Sequence, residues 1–257
     1  RVLGGGFLFL IFYAFFITER VDKKDYFSFA LCGLFGVAIN QLFFFEGLNL
    51  TTPINAAFIM TTNPILVIVI SAFLIGEKIT LQKIIGIFFG IVGAGTLILN
   101  SGSISFDNDF FIGNILVFIN ATSYAIYLVL VKGLMTKYQP LTVMFFVFLF
   151  GFFFVFPFGY HQLTSINIDL FTNDIYLKVL FVVVCTTFIA YLFNAFALKT
   201  LSPSVVSIYI YLQPVLASVI AIIYNSDSID YIKILSSFFI FTAVFLVSIP
   251  SKKVITN

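Results

Sequence analysis

Apolar residues in this chain come in long runs, not with the short periods of a water-soluble fold. Stretches of about 18 or more residues with almost no charge read as membrane-spanning helices. Nine are predicted, at 2–17, 27–46, 52–74, 81–99, 110–131, 140–158, 176–197, 203–224 and 231–249, with the charges gathered in the short segments between them. The polar interruptions are as informative as the runs. MTTNPILV, residues 60–67, puts two threonines, an asparagine and a proline near the centre of the third span. YLQPVL, residues 211–216, puts a tyrosine, a glutamine and a proline near the centre of the eighth. Proline removes a backbone donor and crowds the preceding turn, so both spans are predicted to kink and to free a carbonyl one turn earlier.

Pro64 and Pro214 are 150 residues apart, and the same offset relates Pro53 to Pro203, Leu48 to Leu198, Lys83 to Lys233, Asn63 to Gln213 and Thr61 to Tyr211. A fixed offset marks an internal repeat. The expected organisation is a first repeat over 1–99 and a second over 110–249. The span at 110–131 then has its counterpart upstream of Arg1, so one N-terminal helix is expected to be missing, with ten spans in all and five per repeat. An odd number of spans turns the second repeat over in the membrane. The expected fold class is an all-α polytopic membrane protein, nine transmembrane helices of ten, built as two inverted five-helix repeats, a plan common among secondary transporters.

Composition agrees with a lipid bilayer as the surrounding solvent: 61% of residues are hydrophobic, 9% are charged and mean hydropathy is +1.14. A net charge of +2 gives no reason to expect a nucleic-acid partner. The distribution of basic residues carries more. One side collects Arg20, Lys23, Lys24, Lys78, Lys83, Lys132, Lys137, Lys199, Lys252 and Lys253; the other has Arg1, Lys178 and Lys233 with Asp107, Asp109, Asp169 and Asp174. Cytoplasmic loops are enriched in Lys and Arg. The loops near 20, 78, 135 and 200 and the C-terminus are therefore expected in the cytoplasm, the membrane being a bacterial inner (plasma) membrane. No pattern sets an oligomeric state.

The chemistry available is narrow. Cys32 and Cys185 fall inside spans and read as small packing residues, and His161, the single histidine, falls in a predicted loop. Neither a metal site nor a Ser-His-Asp triad can be assembled from them, no GxxxxGK[ST] is present to bind nucleotide, and no cofactor is expected. Polar side chains at mid-span must face protein or a wetted cavity. Thr61, Thr62 and Asn63 lie there in one span, Tyr211 and Gln213 in its repeat partner. Asn120, Ser123, Tyr124 and Tyr127 are spaced i, i+3, i+4, i+7 and form one helical face. Ser204, Ser207 and Tyr211 make a weaker stripe. Each set reads either as the lining of a substrate cavity or as hydrogen-bonded helix packing. The candidate substrate-binding residues are Asn63, Asn120, Ser123, Tyr124, Tyr211 and Gln213, with Pro64 and Pro214 as helix kinks. Amides and hydroxyls suit a neutral or zwitterionic ligand. Glu46, the acidic residue inside an apolar run, is the candidate for coupling to protons or another ion, or else a side chain that snorkels from its helix end. Gly86 and Gly90 form a GxxxG continued by Ala94, which suits close helix packing, and the Phe-rich run 145–158 reads as lipid-facing.

These residues carry a resemblance. GLNLTTPINAAFIMTTNPILVIVISAFLIGEKIT, followed by a glycine-rich span and repeated as ALKTLSPSVVSIYIYLQPVLASVIAIIYNSDSID, is similar to the EamA-type transporters of the drug/metabolite transporter superfamily, and the likeness covers essentially the whole chain. Pro64, Pro214 and the Gly76-Glu77-Lys78 element fit the family pattern, as does NATSYAIYLVLVKGL. The second repeat departs from it, reading NSDSID where a Gly-Glu element is usual. The resemblance implies ten helices around a central cavity and a secondary active transporter, an exporter of a small metabolite or drug-like molecule by alternating access, with no enzymatic activity. The competing readings are a lipid-modifying membrane enzyme, which the single histidine disfavours, and a sensory or structural membrane protein without transport activity.

Overall fold

The computed structural model describes residues 1–100, 108–164, 171–224 and 230–249. Among these residues there is no strand. The chain runs as α1 (Val2–Phe16), α2 (Lys23–Asn49), α3 (Pro53–Ile75), α4 (Leu81–Asn100), α5 (Phe110–Met135), α6 (Pro140–Thr164), α7 (Asn173–Thr200), α8 (Pro203–Ile223) and α9 (Tyr231–Ser248). Helices α2 to α9 are long and apolar enough to cross a membrane, and α1 is a shorter apolar helix. The fold is that of a polytopic all-α membrane protein. Lys252, Lys253, Asp107, Asp169 and most of NSDSID lie outside the described residues.

Local chemistry explains where the helices start. Thr52 accepts the Asn55 N–H and Pro53 follows it; 150 residues on, Ser202 accepts the Val205 N–H and Pro203 follows. In both, an N-cap hydroxyl satisfies a free donor and proline supplies a preset φ at a position that needs no N–H. Gly76 ends α3 at φ 66°, a left-handed conformation that glycine adopts without strain. One boundary differs from expectation. The backbone stays helical past Pro157 and through His161 to Thr164, where the sequence reading has a loop, because membrane helices tolerate proline when neighbouring groups satisfy the freed carbonyl.

The helices group into two compact units that cut across the two halves of the sequence. Arg1–Leu42 and Ile126–Leu201 form the first, with α1, α6, α7, the start of α2 and the end of α5. Aromatic rings hold it together: Phe9 is fully buried, 4.9 Å from Phe148 and 4.7 Å from Phe188, and Tyr13 stacks on Phe145 at 4.4 Å. The Phe-rich run is thus lipid-facing only in part, since Phe148 is core while Phe153, Phe154, Phe156 and Phe158 are exposed. Cys32 is buried and Cys185 is exposed, so only the first is a packing residue.

The second unit holds Phe43–Ala125 and the chain from Ser202: α3, α4, α8, α9, the end of α2 and the start of α5. Its spine is α4 against α9. A Cβ on Gly86 would meet the Ala243 carbonyl oxygen at 3.1 Å, and one on Gly93 would meet the Ser236 oxygen at 2.8 Å. Ser236 is Gly86 shifted by 150 residues, and Ala243 is Gly93 shifted by the same amount, so exchanging the two halves of the sequence turns one contact into the other. Only a two-fold rotation produces such an exchange. Phe89 and Phe239, also 150 apart, stack at 5.6 Å and mark the axis. Because the contacts run in opposite order along α4 and α9, these counterparts are antiparallel and the axis crosses their length. Unit one obeys the same exchange: Gly151 packs on Val37, and at the equivalent positions Arg1 bonds Thr187.

Candidate functional site

In the second unit, the break in α3 answers the question posed by MTTNPILV. The N–H groups of Thr61 and Thr62 bond three residues back, to the Phe58 and Ile59 carbonyls at 3.0 Å each, and both hydroxyls cap the same oxygens. Ile65 then bonds the Thr62 oxygen, which leaves the Thr61 carbonyl free for the Tyr211 hydroxyl at 2.9 Å. Tyr211 is Thr61 shifted by 150 residues, so these counterparts meet on the axis, inside the tight turn Tyr209–Tyr211 that breaks α8. The Tyr211 ring lies against Gly90, where any side chain would collide with it.

Asn63 is fully buried beside this break. Its Nδ2 donates to the Ala121 carbonyl at 2.8 Å, tying α3 to the polar stripe of α5, while its Oδ1 has no partner among the described residues. Asn120, Ser123 and Tyr211 are each no more than 2% exposed, and Pro64 is buried. The structure therefore brings Asn63, Pro64, Asn120, Ser123 and Tyr211 into one unit as interior residues. Tyr124 and Pro214 are half-buried there, and Tyr127, the last member of the stripe, belongs to the first unit. Gln213 is exposed although its counterpart Asn63 is not, and Glu46 is exposed three residues from the end of α2. The weaker stripe is also interior: Ser204 and Ser207 are buried, and Ser207 bonds the Ser204 carbonyl at 3.0 Å.

Two polar clusters of this unit escaped the sequence reading. Glu77, one residue past the glycine that ends α3, pairs with Lys83 at 2.7 Å and accepts the Ser204 hydroxyl at 2.8 Å. Burial pushes the Glu77 carboxyl up, but hydrogen bonds from Lys83, Ser202 and Ser204, with the Lys83 charge, outweigh it and hold the pKa below its ordinary value. At the α2–α3 turn, Thr51 donates to Asn114 Oδ1 at 2.6 Å and Asn55 donates to Thr51 at 3.2 Å. Among the described residues no group of His, Cys, Asp and Glu could hold a metal ion.

In the first unit, two stretches are wound as π-helix, Leu34–Ile39 in α2 and Val184–Ile189 in α7, again 150 residues apart. A π-bulge shifts the hydrogen-bond ladder by one residue and leaves a carbonyl over; such bulges concentrate at functional sites. The third carbonyl of each accepts a side chain. Gly36 takes the Tyr191 hydroxyl at 3.3 Å, and Thr186 takes Arg1 Nη2 at 3.1 Å. Arg1 Nε also donates to the Thr187 hydroxyl at 2.9 Å. This corrects the counting of Arg1 among the charges on one side of the membrane, because Thr186 and Thr187 sit at the midpoint of the 28-residue α7. The signal was present in the offset, which pairs Arg1 with Gly151 in the middle of a predicted span. The Gln41 side chain lies beside the hydroxyl of its counterpart Tyr191. Lys132 closes the far end of α7, donating to the Leu198 carbonyl at 2.7 Å and the Leu201 carbonyl at 2.9 Å.

Known proteins resemble this chain. Uncharacterized transporter YyaM of Bacillus subtilis is 24% identical over 210 residues, covering 79% of this chain and 68% of that protein. An uncharacterized transporter of Archaeoglobus fulgidus is 26% identical over 201 residues, covering 78% and 70%. A crystal structure 18% identical in sequence has the same fold, with a TM-score of 0.78 over 96% of this chain and 84% of that one. The EamA-like transporter family matches residues 1–99 and 111–249. With eight apolar spanning helices and a family match over nearly its whole length, the chain belongs to the EamA-like transporter family and is a multi-pass membrane transporter.

Proposed function

We propose that the protein is a secondary active transporter that exports a small metabolite or drug-like molecule by alternating access, the two repeats, 1–99 and 110–249, moving against each other. The observation that carries this reading is the recurrence of helix breaks at matched positions: π-bulges in α2 and α7, broken turns in α3 and α8. Discontinuous helices in inverted repeats supply both polar backbone for a ligand and joints for rocking. The substrate contacts are Asn63, Asn120, Ser123, Tyr124, Tyr211 and Gln213, with Pro64 and Pro214 maintaining the breaks and Glu46 exchanging the coupling proton. Four of these six are closed off in this conformation, so the cycle must open the packing around them. The C-terminus faces the cytoplasm of a bacterial inner membrane, in keeping with the excess of basic residues on that side.

Vesicles reconstituted with the purified protein and loaded with amino acids, nucleosides, sugars or cationic drugs test the reading. Counterflow of at least one class above protein-free vesicles is expected, and none for any class would refute it. With that ligand, Asn120→Ala and Gln213→Ala should each weaken affinity about 2- to 13-fold, the value of one neutral hydrogen bond. Glu46→Gln should remove the pH dependence of transport and leave folding intact. A C-terminal alkaline phosphatase fusion should be inactive.

A further inference from the structure

Glu77 is a largely covered carboxylate of unit two, its side chain 14% exposed, and the transport reading gives it no part. Its two oxygens serve different repeats. Oε1 pairs with Lys83 Nζ at 2.7 Å inside the first repeat, and Lys83 is anchored in addition on the Lys78 carbonyl at 3.2 Å. Oε2 accepts the Ser204 hydroxyl at 2.8 Å from the second repeat, and Ser202, the N-cap of α8, also donates to the carboxylate. The start of α8 is thereby held to the end of α3. The turn that carries Glu77 is fixed from behind, because the Gly76 and Glu77 N–H groups both bond the carbonyl of Ser71, which is fully buried. The two-fold relation does not repeat the bond. Ile54, the counterpart of Ser204, has no hydroxyl, and at the α8–α9 turn Asp230 accepts the Lys233 N–H at 2.7 Å, pairs with Lys233 Nζ and takes Asn100 Nδ2 at 3.2 Å, partners that lie on α9 and α4.

From these observations, and resting on the transport reading, we propose that Glu77 and Ser204 form a gate clamp, a bond between the repeats that shuts one end of unit two and must part for that end to open. In inverted repeats the two end states of the cycle exchange the conformations of the two halves, so a bond made at both ends would favour neither state. A bond made at one end favours the state in which that end is shut. In the proposed topology the loops near 78 and 200 are cytoplasmic, so unit two rests shut on the cytoplasmic side. A carboxylate–hydroxyl bond suits this work, because it is stronger than a neutral pair and its parting strands no charge, Lys83 staying with Glu77 when α8 moves off. Lys83 and the Ser71 carbonyl keep the carboxylate aimed at α8 and act as positioning groups. Ser207 lies on the same face as Ser204 but bonds the Ser204 carbonyl within α8, outside the clamp.

The test uses the complete protein in detergent, in a Cys185→Ser background, with two cysteine reporters labelled by a water-soluble maleimide: Ser71→Cys at the clamped end and its counterpart Ala221→Cys at the other. Ser204→Ala cuts the clamp and leaves the Glu77–Lys83 pair in place. It should raise the labelling rate at Ser71→Cys about tenfold, the low end for a hydrogen bond to a charged group because Ser202 still donates, and should lower the rate at Ala221→Cys. Glu77→Gln should move the pair in the same directions, and it decides the matter should Ser204→Ala not fold. Ser207→Ala should move neither reporter. A rise at both reporters would mean that the helices merely loosen, no change at Ser71→Cys would mean that nothing is gated there, and a reciprocal shift from Ser207→Ala would mean that the clamp is not what sets the state; each overturns the proposal. Counterflow in vesicles is read separately. A protein that carries a ligand while the clamp variants leave the reporters unmoved keeps the transport reading and loses the clamp; one that carries nothing removes both.

Discussion

The bulge in α2 reads LFGVAI and the bulge in α7 reads VCTTFI, yet their backbones do the same thing at the same distance along their helices. At Gly36 the bulge presses on the Tyr127 ring and its spare carbonyl meets a neutral hydroxyl. At Thr186 it meets a guanidinium, and Thr187 turns a hydroxyl to the same group. The pair of turns after α3 and α8 repeats the lesson, with Glu77 and Lys83 both largely covered at one, while at the other Lys233 is as covered as Lys83 and only the carboxylate of Asp230 is more open. Symmetry sets where the chain bends, and the side chains it leaves unequal decide what each bend does. Cutting one member of each pair should therefore have unequal effects.

The widest gap is expected between Glu77 and Asp230. Glu77→Gln leaves the Lys83 ammonium, only 10% exposed, without its counter-ion, and breaking a buried pair from one side costs about 3 kcal/mol. Asp230→Asn at the equivalent turn should change the melting temperature far less, because Asp230 is 39% exposed and solvent screens it. The effect has a pH signature. The folded Glu77 pKa lies below the ordinary 4.5, so its stabilisation is complete above that pH and is lost as pH falls through the folded value. Melting curves of the native protein and Glu77→Gln should converge on acidification below about pH 4.5, and a constant gap would mean the charge is irrelevant.

At the bulges the asymmetry should be smaller. Gly36→Ala forces a methyl into the Tyr127 ring and should destabilise by about 1–3 kcal/mol. Thr186→Ala, half-buried and bonding only back to the Val182 carbonyl, should stay within about 0.5 kcal/mol. Equal losses in thermal melts would mean that the two bulges are held by their backbones alone. On the axis itself, Tyr211→Phe strands the Thr61 carbonyl in a dry site and should cost about 1–2 kcal/mol.

The parts of this architecture that were legible beforehand have local signatures. Prolines, N-cap hydroxyls and long apolar runs act within a few residues, so α3, α8 and the repeat could be read directly. The π-bulges have none. LFGVAI is an ordinary apolar stretch, and only its tertiary partners make the extra residue worthwhile. Glu77 and Ser204 are 127 residues apart, so nothing near either announces their bond. Gln213 shows the limit of repeat logic, since its alignment with Asn63 carries over the backbone and not the burial. Arg1 was counted with the charges on one side of the membrane because it adjoins an apolar run, although its counterpart Gly151 lies in mid-span.

A further substitution probes how the neutral bulge is held. Tyr191→Phe removes a hydroxyl that reaches the Gly36 carbonyl at 3.3 Å, a long bond to a side chain that is only half-buried. The ring itself should stay in place, since it stands edge-on to Phe148 at 5.0 Å and the substitution leaves that contact intact. Stability should therefore fall by no more than about 0.5–1 kcal/mol, the net worth of one neutral hydrogen bond. The local consequence should exceed the global one. With its spare carbonyl released, the bulge at Leu34–Ile39 can relax toward a regular helix, and amide exchange there should change while exchange at Val184–Ile189, held by Arg1, does not. Exchange altered equally at both bulges would show that they move as one, and that the difference between a hydroxyl and a guanidinium partner does not govern how each is held.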